Sequence, residues 1–330
     1  MSKKNLGQFN TTNYRYILDG FNPPTNCKFI EPFVGSGCLL PFIPNNEVEC
    51  YDIEPRIEKC AQRDTILEPP DYNGKYVITN PPFLARNKSG DKRHYEMYKQ
   101  NDLYKCFLIT LIQSNPIGGI LILPLNFFCS VRTTDVKLRD QFLSKFKIIK
   151  MNWFEEQVFE DTTYNVCSFM FETSSEKLKK QKIQIGEMNI TIKQKYGWMI
   201  GGKIYHLKFD DEIQIKRITT TCKHMTFILI NCVDLAGQQN ILASFEPNVF
   251  VGKNSDRTKM SVEISPTLSI KKQKKLVKQF NGLITDYRQR YNSLFLPNFR
   301  DNGRKRIPFT LVFDIMKFIL TRMASHHQSI

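Results

Sequence analysis

Asn80-Pro81-Pro82-Phe83 places a carboxamide, a proline carbonyl and an aromatic ring within one tetrapeptide. A conjugated amine such as the exocyclic N6 of adenine is a poor nucleophile, because its lone pair is delocalised into the ring. Two acceptors set against its two N–H bonds draw it towards tetrahedral geometry. The Asn80 side-chain oxygen and the Pro81 backbone carbonyl can be those acceptors, since proline has a fixed φ and offers no competing donor. Phe83 adds a face on which a flat base can lie. An amine activated in this way needs an electrophile held close and dry, with no acid–base pair or metal.

Several elements must position these groups. The tetrapeptide closes an expected strand, Tyr76–Thr79. Upstream, an expected strand at Cys27–Ile30 runs into Glu31-Pro32-Phe33-Val34-Gly35-Ser36-Gly37, whose glycines allow a tight turn and close approach of a ligand. A second strand, Val48–Asp52, ends on a carboxylate that can accept from both hydroxyls of a ribose. Asp64, in Arg63-Asp64-Thr65, can accept from an adenine amine. Taken singly, a Gly-x-Gly turn, an acid after a strand and an Asn-Pro-Pro run are ordinary turn formers. Their order along the chain asks for more than turns.

Further strands are expected at Gly119–Leu123, Ile148–Trp153 and Val166–Phe171. Helices are expected at Asn101–Ser114, where Leu103, Phe107, Leu108 and Leu111 share a face, and at Thr134–Lys145. The alternation predicts a doubly wound α/β domain on a parallel sheet. After Phe171 the composition turns polar over 173–180, so two domains are expected, 1–172 and 173–330. The fold of the second is not readable, apart from a helix starting in Lys271-Lys272-Gln273-Lys274-Lys275 and running towards Tyr291.

The chain carries 330 residues, 41% of them hydrophobic, and a net charge of +15. Residues 1–171 hold 20 Lys/Arg against 19 Asp/Glu, and residues 172–330 hold 27 against 13, so the excess is C-terminal. A basic half beside a near-neutral one points to a polyanion-binding module attached to a catalytic one. The nine cysteines are scattered and form no Cys-x-x-Cys pair, and His326-His327 has no ligand partner nearby, so neither a disulfide framework nor a metal is expected. Met1-Ser2-Lys3-Lys4-Asn5 lacks the apolar core of a signal peptide, and no apolar run approaches membrane length. The chain reads as intracellular and soluble, at home in the cytoplasm of a bacterium or of a virus-infected host cell.

Gly7-Gln8-Phe9-Asn10-Thr11-Thr12, Glu31–Gly37, Asp52, Asp64 and Asn80–Phe83 stand in an order that resembles the γ group of N6-adenine DNA methyltransferases of type II restriction-modification systems. In that family Asn10 is usually aromatic and Thr12 often proline. The resemblance covers about the first half of the chain. It implies a Rossmann-like methyltransferase sheet followed by a basic DNA-recognition domain, S-adenosylmethionine as methyl donor, and duplex DNA as substrate. It implies cofactor contacts at Thr11, Glu31, Phe33, Gly35, Asp52, Ile53, Asp64 and Asn80, catalysis by Asn80, Pro81, Pro82 and Phe83, and Phe83 with Phe159 on either side of the target base. A cognate restriction endonuclease acting on the same site, and a monomer or weak dimer, are further expectations.

A base inside a duplex must be flipped out to reach such a pocket, and other contacts must offset that cost. Arg86, Lys88, Lys92 and Arg93, in the polar stretch Leu84–Lys99, are candidates, in a loop expected to be mobile without DNA and to close over the base. In the basic half the candidates are Lys271, Lys272, Lys274 and Lys275, and Arg300, Arg304, Lys305 and Arg306, contacting phosphates or guanine edges. Adenine in structured RNA is the second acceptor and a protein glutamine amide the third. A catalytically inactive nucleic-acid-binding subunit is the non-enzymatic alternative; such a subunit is expected to lose the Gly loop or the Asn-Pro-Pro-aromatic set, and neither is lost.

Overall fold

Lys28–Glu31 (β1), Val48–Asp52 (β2), Ala61–Gln62 (β3), Lys75–Thr79 (β4) and Gly118–Pro124 (β5) form the parallel part of a nine-stranded sheet, in a computed structural model that describes residues 7, 9–44, 47–160, 164–235, 237–298 and 304–325. Phe146–Trp153 (β6), Val166–Thr173 (β7), Lys180–Ile185 (β8) and Met188–Lys193 (β9) complete it in the order β3-β2-β1-β4-β5-β7-β6-β8-β9. The strand positions expected from the sequence agree closely with β1, β2, β4, β5, β6 and β7. The α/β class holds, and the sheet departs from wholly parallel where β7 runs antiparallel to both β5 and β6. Among the described residues no helix separates β6 from β7 to carry the chain back across the sheet, and the chain returns antiparallel.

Burial follows position in the sheet. All seven residues of β5 are buried, as expected of a central strand covered on both faces, whereas β8 alternates exposed and buried. The described helices of this unit are Tyr14–Ile17 (α1), Arg93–Tyr98 (α2), Leu103–Gln113 (α3), Asn126–Cys129 (α4) and Thr133–Lys145 (α5). Phe142 of α5 meets Phe146 of β6 at 4.6 Å and Phe171 of β7 at 5.6 Å, ring centroid to centroid, with all three fully buried. Each such ring removed from water is worth roughly 1.5–3 kcal/mol. A buried ion pair, Lys105 Nζ to Asp135 Oδ1 at 2.6 Å, ties α3 to α5.

The chain divides into two compact units, Met1–Trp198 and Met199–Ile330. The first unit therefore runs past residue 172, where composition alone places the boundary. The polar stretch after Thr173 leads into the β8–β9 hairpin, which joins the sheet through β6. Beyond it the Trp198 indole donates to Asp140 (2.9 Å) and the Gly197 carbonyl accepts from Arg139 Nε (2.6 Å). Charged residues hide a strand pair because only one face of β8 is buried.

The second unit is a four-stranded antiparallel sheet in the order β10-β13-β11-β12, built from Gln214–Arg217 (β10), Met225–Asn231 (β11), Leu242–Phe245 (β12) and Lys259–Ser265 (β13). Helices Ile270–Tyr291 (α6) and Phe309–Ser325 (α7) contribute Leu276, Phe280, Ile284, Val312, Ile315 and Met316 to the core it shares. A buried bidentate pair, Arg288 to Asp234 at 2.8 and 3.0 Å, anchors the end of α6. No described helix is long and apolar enough to cross a membrane.

Candidate active site

A cavity of about 640 Å³ lies at the C-terminal ends of β1, β2 and β4, where ligands bind in open α/β sheets. Thr11, Phe33, Gly35, Asp52, Asp64 and Asn80 all line it, so the glycine turn and the tetrapeptide face one space. Ile53, 40% exposed, lines it as well.

Gly35 has a φ of +55°, a conformation that suits glycine, and its N–H donates to Asp52 Oδ2 at 2.8 Å. Asp52 Oδ1 accepts from Glu54 N at 2.9 Å, so the buried carboxylate is held from both sides of the turn. Glu31 differs from the sequence expectation: it is 1% exposed and is not among the cavity's lining residues. Its Oε1 accepts from the Thr79 hydroxyl and from Phe33 N, while Oε2 is buried without a partner. Burial pushes the Glu31 carboxyl up to about 8, against the two hydrogen bonds and with help from the charge of Asp52.

Asp64 is held by three donors. Its Oδ1 accepts from Ile66 N and Leu67 N at 3.2 and 3.1 Å, and His94 Nε2 donates to Oδ2 at 2.7 Å. Burial raises this carboxyl, but the His94 bond and the Leu67 amide outweigh it and hold it below the ordinary range. His94, which also lines the cavity, is not among the residues the sequence points to. Thirty residues separate it from Asp64, and only the fold joins them.

The Asn80 carboxamide is oriented by two bonds. Nδ2 donates to Phe9 O at 3.0 Å and to Thr11 Oγ1 at 3.1 Å. A carbonyl can only accept, so the Phe9 contact fixes which end of the amide is nitrogen. Oδ1 is then left buried with no hydrogen-bond partner. The tetrapeptide backbone is clamped from the N-terminal side: Phe83 N donates to Gly7 O at 3.0 Å. Gly7 has a φ of +67°, and a Cβ there would lie 2.9 Å from the Phe83 carbonyl carbon and oxygen. Pro81 is buried, and Pro82 lines the cavity.

Phe83 and Phe159 are each 3% exposed. The ring of Phe9, absent from the expected set, contacts both, at centroid distances of 5.6 and 6.0 Å and interplanar angles of 33° and 28°. A second cavity of about 530 Å³, lined by Asn13, Gln157, Phe159 and Glu160 among others, shares Phe9 and Asn10 with the first.

The basic candidates fall into different surroundings. Arg86 pairs with Glu96 at 3.3 Å, Arg93 pairs with Asp91 at 2.7 Å, and Lys92 Nζ donates to the carbonyls of Arg86 and Ser89. Lys88 and Arg93 line the first cavity, so the segment after the tetrapeptide contributes to its wall. Lys271, Lys272, Lys274 and Lys275 are exposed along the start of α6. Lys305 is 4% exposed, its ammonium donating to Asn298 Oδ1 at 2.9 Å, which takes it off the surface. Arg304 and Arg306 are half-buried, the latter over the Phe309 ring. Gln8, Arg300, His326, His327 and residues 1–5 lie outside the described residues. Among the described residues no group of His, Cys, Asp and Glu could hold a metal ion.

No curated protein matches the chain. Among solved structures, a Vibrio vulnificus YJ016 protein assigned as the modification subunit of a type I restriction enzyme is 12% identical, over 54% of this chain and 47% of its own, with a TM-score of 0.41. The type IIG restriction endonuclease BpuSI is 12% identical, over 64% and 36%, with a TM-score of 0.40. The methyltransferase subunit of a type I restriction-modification system from Streptococcus thermophilus is 14% identical, over 52% and 44%, with a TM-score of 0.37. The chain thus spans less than half the length of each of these three. Residues 45–159, a span that holds Asp52, Asp64, the tetrapeptide and Phe159, match the family model described as the Eco57I restriction-modification methylase.

Proposed function

We propose that the protein is an S-adenosylmethionine-dependent methyltransferase of a restriction-modification system that methylates N6 of an adenine flipped out of duplex DNA. The observation that carries this reading is the Asn80 carboxamide: its nitrogen is committed to Phe9 and Thr11, its oxygen is buried and unpartnered, and the residue lines the cavity. A buried acceptor left unmet costs about 1–3 kcal/mol, a cost removed when a donor arrives. An adenine N6–H is such a donor, and the Pro81 carbonyl takes the other N–H.

The chain's residues fit the methyl donor. Asp52 would take the ribose hydroxyls, Ile53 would cover the adenine and Asp64 would accept from its amine. Thr11, Phe33 and Gly35 would hold the methionine end, with Glu31 as a buried support behind Phe33 and Thr79. Bound there, S-adenosylmethionine would supply an electrophilic methyl on a sulfonium, whose C–S electron pair stays on sulfur as N6 takes the carbon and passes its proton to solvent. Asn80 and Pro81 then need only hold the amine and exclude water. Duplex DNA is the partner, with the exposed lysines of α6 contacting phosphates and an endonuclease of the same specificity acting at the same site.

Incubation with labelled cofactor and mixed-sequence duplex, followed by mapping of N6-methyladenine, tests the reading. Asn80→Ala is expected to keep cofactor binding and lose about 10²–10³-fold of transfer, the usual loss for one such polar group. Label appearing in structured RNA in preference to DNA, or full transfer by the variant, would overturn it.

A further inference from the structure

Phe9 holds two positions in the site at once. Its carbonyl accepts from Asn80 Nδ2, while its ring packs on both Phe83 and Phe159. Phe9 and Asn10 also line both cavities, so they stand where the space around Asn80 meets the space around Phe159. A transfer reaction brings its two reacting atoms to about 3–3.5 Å, so a base that packs on Phe159 must occupy space the Phe9 ring now borders.

We propose that the Phe9 ring is the placeholder for the flipped base, which displaces it when it enters the slot between Phe83 and Phe159. This inference rests on the methyltransferase reading above and adds to it how the slot is kept in the resting protein. Two aromatic faces left bare would meet water, and a third ring covers both. Exchange of ring for base replaces one stack with another, so entry costs little for a flat base and far more for a group that cannot stack. The anchor and the placeholder are separable, because turning the side chain about χ1 leaves the Phe9 carbonyl on Asn80. The acceptor geometry therefore survives the exchange. The ring is partly exposed, which gives it somewhere to go.

The probe is 2-aminopurine deoxyriboside, which stacks like adenine and is fluorescent, titrated against the full-length chain with S-adenosylhomocysteine present. Phe9→Ala is expected to bind it about tenfold more tightly than the unaltered chain, with quenching, because the stacks on Phe83 and Phe159 no longer have to be displaced. Phe9→Trp is expected to bind it more weakly, and Phe9→Ala with Phe159→Ala to lose the gain. Equal affinity in Phe9→Ala and the unaltered chain, with thermal melting showing both folded, overturns the proposal. Should the alanine variant unfold, Phe9→Trp binding as well as the unaltered chain overturns it. If DNA is methylated but Phe9→Ala gains nothing, this inference falls alone. If no nucleic acid is methylated yet Phe9→Ala gains the nucleoside, the slot stands and the methylation reading falls.

Discussion

Replacing Glu31 by glutamine isolates one buried proton. Burial raises the Glu31 carboxyl from 4.5 to about 8, so between these values the folded chain holds a proton that the unfolded chain has released. Stability supplied by that proton is complete below pH 4.5, declines as pH rises through the window and is gone above about 8. At about 1.4 kcal/mol per unit, the whole excursion is worth roughly 5 kcal/mol as a ceiling. The glutamine amide would keep a neutral acceptor for the Thr79 hydroxyl and Phe33 N and place an N–H where the protonated carboxyl has its own unpartnered O–H, so the two side chains are near level while Glu31 keeps its proton. The two stability curves should therefore diverge, near level at about pH 5 and with Glu31→Gln ahead at about pH 9. Asp102, also raised by burial, to about 7, contributes to both proteins equally and cancels in the difference. Urea unfolding followed by tryptophan fluorescence measures this, since both tryptophans, Trp153 and Trp198, lie in the first unit. Parallel curves with a constant offset across that range would refute the reasoning.

Gly7→Ala should cost about 1–2 kcal/mol from the positive φ alone, and more from the close approach to the Phe83 carbonyl, read as a lower melting temperature together with slower methyl transfer. Exchanging Lys271, Lys272, Lys274 and Lys275 for glutamine should flatten the log–log salt dependence of duplex binding by about 0.9 for each phosphate no longer neutralised. Fluorescence anisotropy at several salt concentrations gives that slope, and an unchanged slope would remove α6 from the nucleic-acid interface.

Elements with strong local signals are legible in the sequence. The apolar runs that form β1, β2, β4 and β5 are buried and bounded by turn formers, and the face of Leu103, Phe107, Leu108 and Leu111 is buried on α3. The β8–β9 hairpin escapes such a reading because Lys180, Lys182 and Gln184 alternate with Gln181, Ile183 and Ile185, and the charged set conceals the buried one. Gln181 itself is buried, its amide donating to the carbonyls of Leu143 and Phe146, a core role its type does not announce. In the site, Gly35, Asp52, Asp64 and Asn80 can be named from order along the chain. His94 and Phe9 cannot, because a hydrogen bond across 30 residues and a stack across 150 leave no periodic trace. Lys305 shows the converse: a residue in a basic run reads as surface, and the fold gives its ammonium a buried amide partner.

The short helix α2 is fastened at both ends of the first cavity. Tyr95 donates its hydroxyl to Leu84 O, just past the tetrapeptide, while His94 holds Asp64 and Tyr98 donates to Ile66 O. The spacing between the two carboxyl-side corners is thus set by a rigid six-residue rod and not by slack loop. Widening the cavity at one corner strains the other, so an analogue lengthened between its nucleobase and its sulfur should be rejected, whereas a bulky group on the solvent side should be tolerated.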